Sequence, residues 1–227
     1  SLVFPEGKTT VIIGGSGSGK SLLMKTASYI RPPEKGKVLW QGSNLGTISQ
    51  EKLTAIRKTW GFMFQDSALW ANMSIFENLA LPQRFHFPDR SEKEIAERIK
   101  DLAEQMGFNG SMLARPVAYS AGRQKIASFM RAIINDPQLI FLDEPSTFVD
   151  HSGFRPVYRM LQRYRRQGRT IVMITHDIEL AKGLGDHLMI MRSGELIASG
   201  DLHELLKSAR HDLQQEIAES FQQGGEE

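Results

Sequence analysis

The eight residues Gly14, Gly15, Ser16, Gly17, Ser18, Gly19, Lys20 and Ser21 carry the densest chemistry in the chain. They fit G-x-x-x-x-G-K-[ST], with Gly14, Gly19, Lys20 and Ser21 at the fixed places. Glycines let the backbone curl so that successive N–H groups point inward at phosphate, and a following helix adds its positive end. Lys20 is then expected to reach the β- and γ-phosphates of a nucleotide and Ser21 to ligate Mg²⁺. A flexible glycine linker could carry similar letters. The flanks speak against one: the apolar run "KTTVIIGG" reads as a buried strand before the loop, and "KSLLMKTASYI" as a helix after it.

A second group of residues sits at the ends of other apolar runs. "LIFLDEP" places Asp143 at the end of a buried strand, where a carboxylate is expected to hold Mg²⁺, with Glu144 beside it as the candidate for polarising an attacking water. A strand that merely ends in acids is the plainer reading, and the phosphate loop is what displaces it. Gln65 ends the run "WGFMFQ" and His176 the run "MITHD". Each alone is unremarkable, but together they are two polar groups at strand ends, where an α/β sheet binds its ligand.

The elements that must position these groups are readable from periodicity. Strands are expected at 8–15, 37–42, 60–65, 137–145 and 169–177, with a hairpin over 186–200 turning at Ser193-Gly194. Helices are expected at 20–30, 49–59, 91–108 and 154–168, the third with Ser91 as N-cap and Gly107 as stop, and short helices follow around 202–206 and 213–221. Between Asp66 and about Arg131 the pattern is helical with almost no β-branched runs, which reads as a helical insertion in an α/β core. The segment "SLVFPEGKTTVII" reads as entering a core with nothing ahead of it, and the final "QQGGEE" as loose.

Composition sets the outer bounds. The 227 residues are 41% hydrophobic and 24% charged, enough for a real core. A net charge of +2 predicts no strong attraction to nucleic acid or to a membrane surface by charge alone. The absence of cysteine excludes disulfides and thiolate metal sites. No apolar run approaches the roughly 18 residues of a membrane span, so direct membrane insertion is not expected.

In their order along the chain, the glycine-rich loop, Gln65, a serine-glycine signature at 119–123, D-E-P and T-H-D resemble the ATPase subunits of ABC transporters, over about residues 2–200. The resemblance implies an α/β fold: a P-loop NTPase core with a mixed sheet and an inserted helical subdomain. Its first N-terminal strand and its adenine-stacking residue are expected outside this chain. The core would comprise 1–65 and 132–200, the helical subdomain 66–131, and a C-terminal helical extension 201–227. The resemblance further implies that Gln65 senses Mg²⁺ and the γ-phosphate, so that Ser21, Gln65 and Asp143 serve the metal. Glu144 matches the catalytic base, His176 the switch histidine on the γ-phosphate, and Asp150 the D-loop aspartate at a dimer seam. Two copies would pack head to tail, each ATP lying between the loop of one and the signature of the other.

The signature departs from the family's Leu-Ser-Gly-Gly-Gln. Tyr119, Ala121 and Arg123 are replacements, while Ser120 and Gly122 are retained. Ser120 reads as the N-cap of the helix behind it, whose free N–H groups can face phosphate. At the first position of a helix φ is negative, so Ala121 fits and beats glycine by about 1 kcal/mol. A working site is expected, with the Ala121 methyl the steric risk. Arg123 either adds charge near nucleotide or faces solvent.

A finer likeness covers 56–82, where Ala68, Leu69, Met73, Phe76, Asn78, Ala80 and Pro82 fit a pattern of the Mla/Mce-type phospholipid-trafficking ATPases. Lipoprotein-release and amino-acid-import ATPases share parts of it. The expected function is ATP hydrolysis coupled to an integral membrane permease, with phospholipid as cargo, at the cytoplasmic face of the cell membrane. Leu69, Trp70 and Phe76 are the apolar candidates for docking the permease, and packing between subdomains would also account for them. Leu213, Ile217 and Phe221 form one stripe, expected to pack on its own domain or to grip the second copy. Alternatives are a soluble ATPase of the class in DNA repair or translation, a small-molecule kinase, and a nucleotide-binding scaffold without turnover. The first would bring coiled-coil, zinc or tandem insertions, and the second a lid. Neither is visible.

Overall fold

A computed structural model describes residues 1–207 and 211–222, apart from the side chains of residues 211–213, 216 and 222. The expected looseness of the last residues and the side chain of Leu213 therefore lie outside the described residues. The chain divides into two compact units, one formed by 1–57 and 170–227, the other by 58–169.

The first unit is built on β1 (Thr9–Ile13), every residue of which is buried. A strand covered on both faces, with Val11, Ile12 and Ile13 after two buried threonines, suits a parallel interior position. The unit continues with α1 (Lys20–Ala27), the short pair β2 (Leu39–Trp40) and β3 (Ser43–Asn44), and α2 (Gln50–Arg57). β3 was not apparent from the sequence, because two residues cannot show a period. What betrays the hairpin is its turn, Gln41-Gly42, with φ of 47° and 78°.

After residue 170 the same unit adds β6 (Thr170–Ile174), α7 (Ile178–Leu184), β7 (His187–Arg192), β8 (Glu195–Asp201), α8 (Leu202–Leu206) and α9 (His211–Gln222). β1 pairs in parallel with both β6 and β7, in registers Thr9↔Ile171 and Thr10↔His187, and β8 runs antiparallel to β7. The sheet of this unit is therefore mixed. The β7–β8 turn falls at Ser193-Gly194, both at positive φ, as expected.

The second unit pairs β4 (Trp60–Met63) in parallel with β5 (Leu139–Asp143), Phe62 opposite Phe141. Around them lie α3 (Ile75–His86), α4 (Glu92–Gln105), α5 (Ala121–Ile133) and α6 (His151–Arg166). Ser74 and Ser91 open α3 and α4 with reciprocal capping boxes to Glu77 and Glu94. Gly107, at φ 59°, lies just past the end of α4. Two boundaries differ from the expectation. β4 and β6 stop two residues short of Gln65 and His176, which therefore occupy loops rather than strand ends. α6 starts at 151 instead of 154, because the Asp150 carboxylate accepts from the Gly153 amide at 2.8 Å and caps it.

Candidate functional site

In the first unit the loop 14–19 connects β1 to α1 and turns back on itself, with the Ser18 amide donating to the Gly15 carbonyl. Gly14 sits at φ 150°, and a Cβ there would lie 2.1 Å from the Met191 carbonyl oxygen of β7. Only glycine fits that approach. The β7–β8 turn buttresses the loop, the Gly194 amide donating to the Ser18 carbonyl at 3.1 Å. Gly15 and Gly17 face open space. Gly19, left-handed at φ 94°, opens α1 with no side-chain cap, so the first amides of α1 have no capping side chain against them.

The Lys20 ammonium turns back into this loop and donates to the carbonyls of Gly14 at 2.6 Å and Gly15 at 3.0 Å. A cation held inside a curl of glycines, at an uncapped helix start, is a cradle for phosphate by charge and by shape. The cradle and Ser21 come from adjacent residues, so this part of the site is local. Elsewhere in the unit, His176 Nδ1 lies 2.5 Å from the Ser220 carbonyl oxygen. A ring nitrogen facing a carbonyl must donate, so Nδ1 carries the proton. The C-terminal helix α9 thus packs on its own chain, with Ile217 and Ser220 buried.

The second unit brings together Gln65, the 119–123 segment, Asp143, Glu144 and Asp150. Asp143 ends β5 and Glu144 follows at φ 50°, both buried. A left-handed conformation at a non-glycine residue beside a buried acid is a costly arrangement of the kind found at functional sites. Ser120 caps α5, its Oγ accepting from the Arg123 amide at 3.4 Å. Ala121 is the first helical residue and is exposed, so its methyl costs nothing in backbone strain. Gly122 is the tightest point: a Cβ there would meet the Phe148 carbonyl oxygen at 2.4 Å. The retained glycine lets α5 start against the 148–149 segment that leads to Asp150.

Arg123 turns its guanidinium to the Asn109 carbonyl. Tyr119 donates to the Ser111 carbonyl at 2.6 Å and packs on Phe108. Two of the replaced letters, Tyr119 and Arg123, thus anchor the neighbouring 108–111 loop. Asp150 accepts from the Ser152 hydroxyl and the Gly153 amide, which hold its carboxyl below the usual carboxylate range.

Sequence reasoning passed over three residues here. Lys125 is 1% exposed, and its ammonium donates to the Gln65 backbone carbonyl. Burial pushes its pKa down, and the carboxylates of Asp143, Glu144 and Asp66 oppose that shift. Ser128 and Arg131 follow on the same helix face and bind the next carbonyls of that loop. The available signal was a lysine and an arginine interrupting an apolar helix face.

For the apolar candidates, Trp70 is exposed, Leu69 is half-buried, and Phe76 helps line a groove of about 400 Å³ with Ile99, Phe108 and Met112. Asn78 is fully buried and ties the 70–74 loop to α3: its Oδ1 accepts from the Trp70 amide at 2.8 Å, and its Nδ2 donates to the carbonyls of Trp70 and Ser74.

The sequence profile described as ABC transporter matches residues 1–147. The chain belongs to the ABC transporter family. Two curated relatives are methionine import ATP-binding proteins. That of Haemophilus ducreyi is 28% identical over 97% of this chain and 64% of its own length. That of Wolinella succinogenes is 31% identical over 97% of this chain and 72% of its own. The chain thus spans just under two thirds of the first relative.

Among solved structures, the ATP-binding cassette MJ0796, in a dimeric post-hydrolysis state bound to ADP and Pi, superposes with a TM-score of 0.81 at 27% identity, covering 88% of each chain. A second dimeric structure of MJ0796, a bacterial ABC transporter cassette, gives 0.80 at 27% identity, again over 88% of each chain. The fold is that of an ABC ATPase. Among the described residues no helix is long and apolar enough to cross a membrane.

Among the described residues no cluster of three His, Asp or Glu side chains forms a carboxylate cage. Ser21 in the first unit, and Gln65 and Asp143 in the second, each carry an oxygen donor of the kind Mg²⁺ takes. The glycine loop, closed against β7 at Gly14 and open at Gly15 and Gly17, fits a nucleotide's phosphates.

Proposed function

We propose that this chain is the ATP-hydrolysing subunit of an ABC transporter, acting as a head-to-tail homodimer that drives an integral membrane permease from the cytoplasmic face of the cell membrane. The observation that carries the reading is the Lys20 ammonium held inside a glycine loop where Gly14 admits no side chain. The loop amides and Lys20 bind and orient the β- and γ-phosphates. Mg²⁺, when bound, neutralises phosphate charge, and Ser21, Asp143 and Gln65 are the residues that hold it. Glu144 polarises the attacking water, His176 contacts the γ-phosphate through its other ring nitrogen, and the 120–123 helix start faces the nucleotide of the second copy. Asp150 lies at the seam between copies. The helical subdomain, 66–131, supplies the permease-docking surface through Trp70, Leu69 and Phe76.

ATP turnover measured on the purified chain, with Lys20→Ala beside it, tests the enzymatic reading. Wild-type release of phosphate with the variant reduced by two orders of magnitude or more is expected, on the order of the several kcal/mol that phosphate clamps contribute to such transition states. Wild-type inactivity with intact binding would leave a scaffold instead.

Two cargoes have support. The 56–82 stretch, with Asn78 at the centre of its loop, supports phospholipid through its likeness to Mla/Mce-type ATPases. The names of the two relatives support methionine. The co-purifying membrane subunit decides between them.

A further inference from the structure

Three side chains on one face of α5, at i, i+3 and i+6, grip three carbonyls of the loop after β4, those of Gln65, Ser67 and Ala68. Lys125 donates to the Gln65 carbonyl. Ser128 Oγ donates to the Ser67 carbonyl at 2.7 Å. Arg131 donates to Ser67 at 3.0 Å and to Ala68 at 2.7 Å. The loop they hold needs holding: Ser67 and Ala68 both sit in the left-handed region, at φ 63° and 44°, where non-glycine backbone is strained.

The Ser128 grip is buried and that of Lys125 part-buried, so water competes little with them. The strand that feeds the loop is locked to the same helix. A Cβ at Gly61 of β4 would lie 2.2 Å from the Ala132 carbonyl oxygen, so β4 and α5 approach as closely as backbones can. At its other end, α5 begins at Ser120 and touches the Phe148 carbonyl through Gly122.

We propose that Lys125, Ser128 and Arg131 are positioning residues that clamp the Gln65 loop to the signature helix, so that the loop and residues 120–123 move as one body. In the dimeric reading above, on which this consequence rests, Gln65 serves the nucleotide of its own copy while 120–123 serve that of the other. The clamp then links the two sites: displacement of Gln65 by nucleotide at one site shifts the helix start at the second. A cation suits position 125 because it sits against a backbone carbonyl among the acidic residues Asp66, Asp143 and Glu144. An uncharged side chain there removes one positive charge from beside them.

Amide hydrogen exchange on the full chain, with and without Mg²⁺ and the non-hydrolysable analogue AMP-PNP, tests the clamp. Without nucleotide, Ser128→Ala and Lys125→Met are expected to speed exchange across 65–70 by about tenfold or more, with β1 and β7 unchanged, as for a local opening that loses one or two buried hydrogen bonds. Lys125→Arg is expected to restore most of the protection. With AMP-PNP, wild type is expected to gain protection at 65–68 and 120–124 together, whereas in the variants the second region no longer follows the first.

Unchanged exchange at 65–70 in both Ser128→Ala and Lys125→Met overturns the clamp, as does concerted protection that survives in the variants. If Lys125→Met fails to fold, Ser128→Ala and Lys125→Arg decide. Protection of 14–21 by AMP-PNP reports on nucleotide binding separately. Its absence in wild type would count against the proposed function while the nucleotide-free comparison still judges the clamp.

Discussion

Two adjacent residues, Ala121 and Gly122, show how unequal neighbouring positions can be. The Ala121 methyl stands exposed at the first turn of α5, in helical backbone. Restoring the family's glycine by Ala121→Gly is expected to leave ATP turnover equal or higher, with a stability loss of at most about 1 kcal/mol. Gly122 meets backbone where its Cβ would go, 2.4 Å from the Phe148 oxygen. Gly122→Ala must therefore displace the segment leading to Asp150. It is expected to lower stability by about 1–3 kcal/mol, the usual range for overpacking, and to lower turnover with it. Denaturant titration beside a phosphate-release assay on both variants checks the contrast. A severe defect in Ala121→Gly would show that the alanine is specifically required.

Elements are where sequence reading succeeded and where it fell short. The order of strands and helices was legible because β1, β5 and β6 are built on the apolar runs 11–13, 139–142 and 171–174 and α4 carries its own start and stop. The phosphate loop was legible because its geometry is written in adjacent residues. Boundaries were less so. β4 and β6 end before Gln65 and His176 because those polar residues leave the sheet early, and Asp150, expected at a dimer seam, caps α6. The clamp on the Gln65 loop was invisible because it depends on contacts some 60 residues apart, between Gln65 and Lys125 and between Ser67 and Ser128. Asn78 belongs to the same class of hidden devices. It fits a family pattern as a letter, but its role is to satisfy the backbone of the 70–74 loop from a fully buried position. Asn78→Ala is expected to cost about 1–3 kcal/mol by leaving those groups unpaired. The denaturation midpoint should fall with an unchanged slope.

At the scale of the whole molecule, the residues singled out in the sequence are divided between the two units. The unit of 1–57 and 170–227 holds the phosphate cradle and His176. The unit of 58–169 holds Gln65, the signature, Asp143, Glu144 and Asp150. In the proposed dimer each ATP is enclosed by two copies, so ATP binding should drive association and hydrolysis should release it. Glu144, buried and in left-handed backbone, is the proposed base of that cycle. The most direct measurement is the molar mass of Glu144→Gln by light scattering after size exclusion, in Mg²⁺-ATP and in Mg²⁺-ADP, with phosphate release recorded in parallel. The account predicts a stable dimer in ATP, monomer in ADP, and hydrolysis reduced by two orders of magnitude or more, as removal of a catalytic base does. A variant that stays monomeric in ATP while it binds the nucleotide, or that hydrolyses at the wild-type rate, would contradict it.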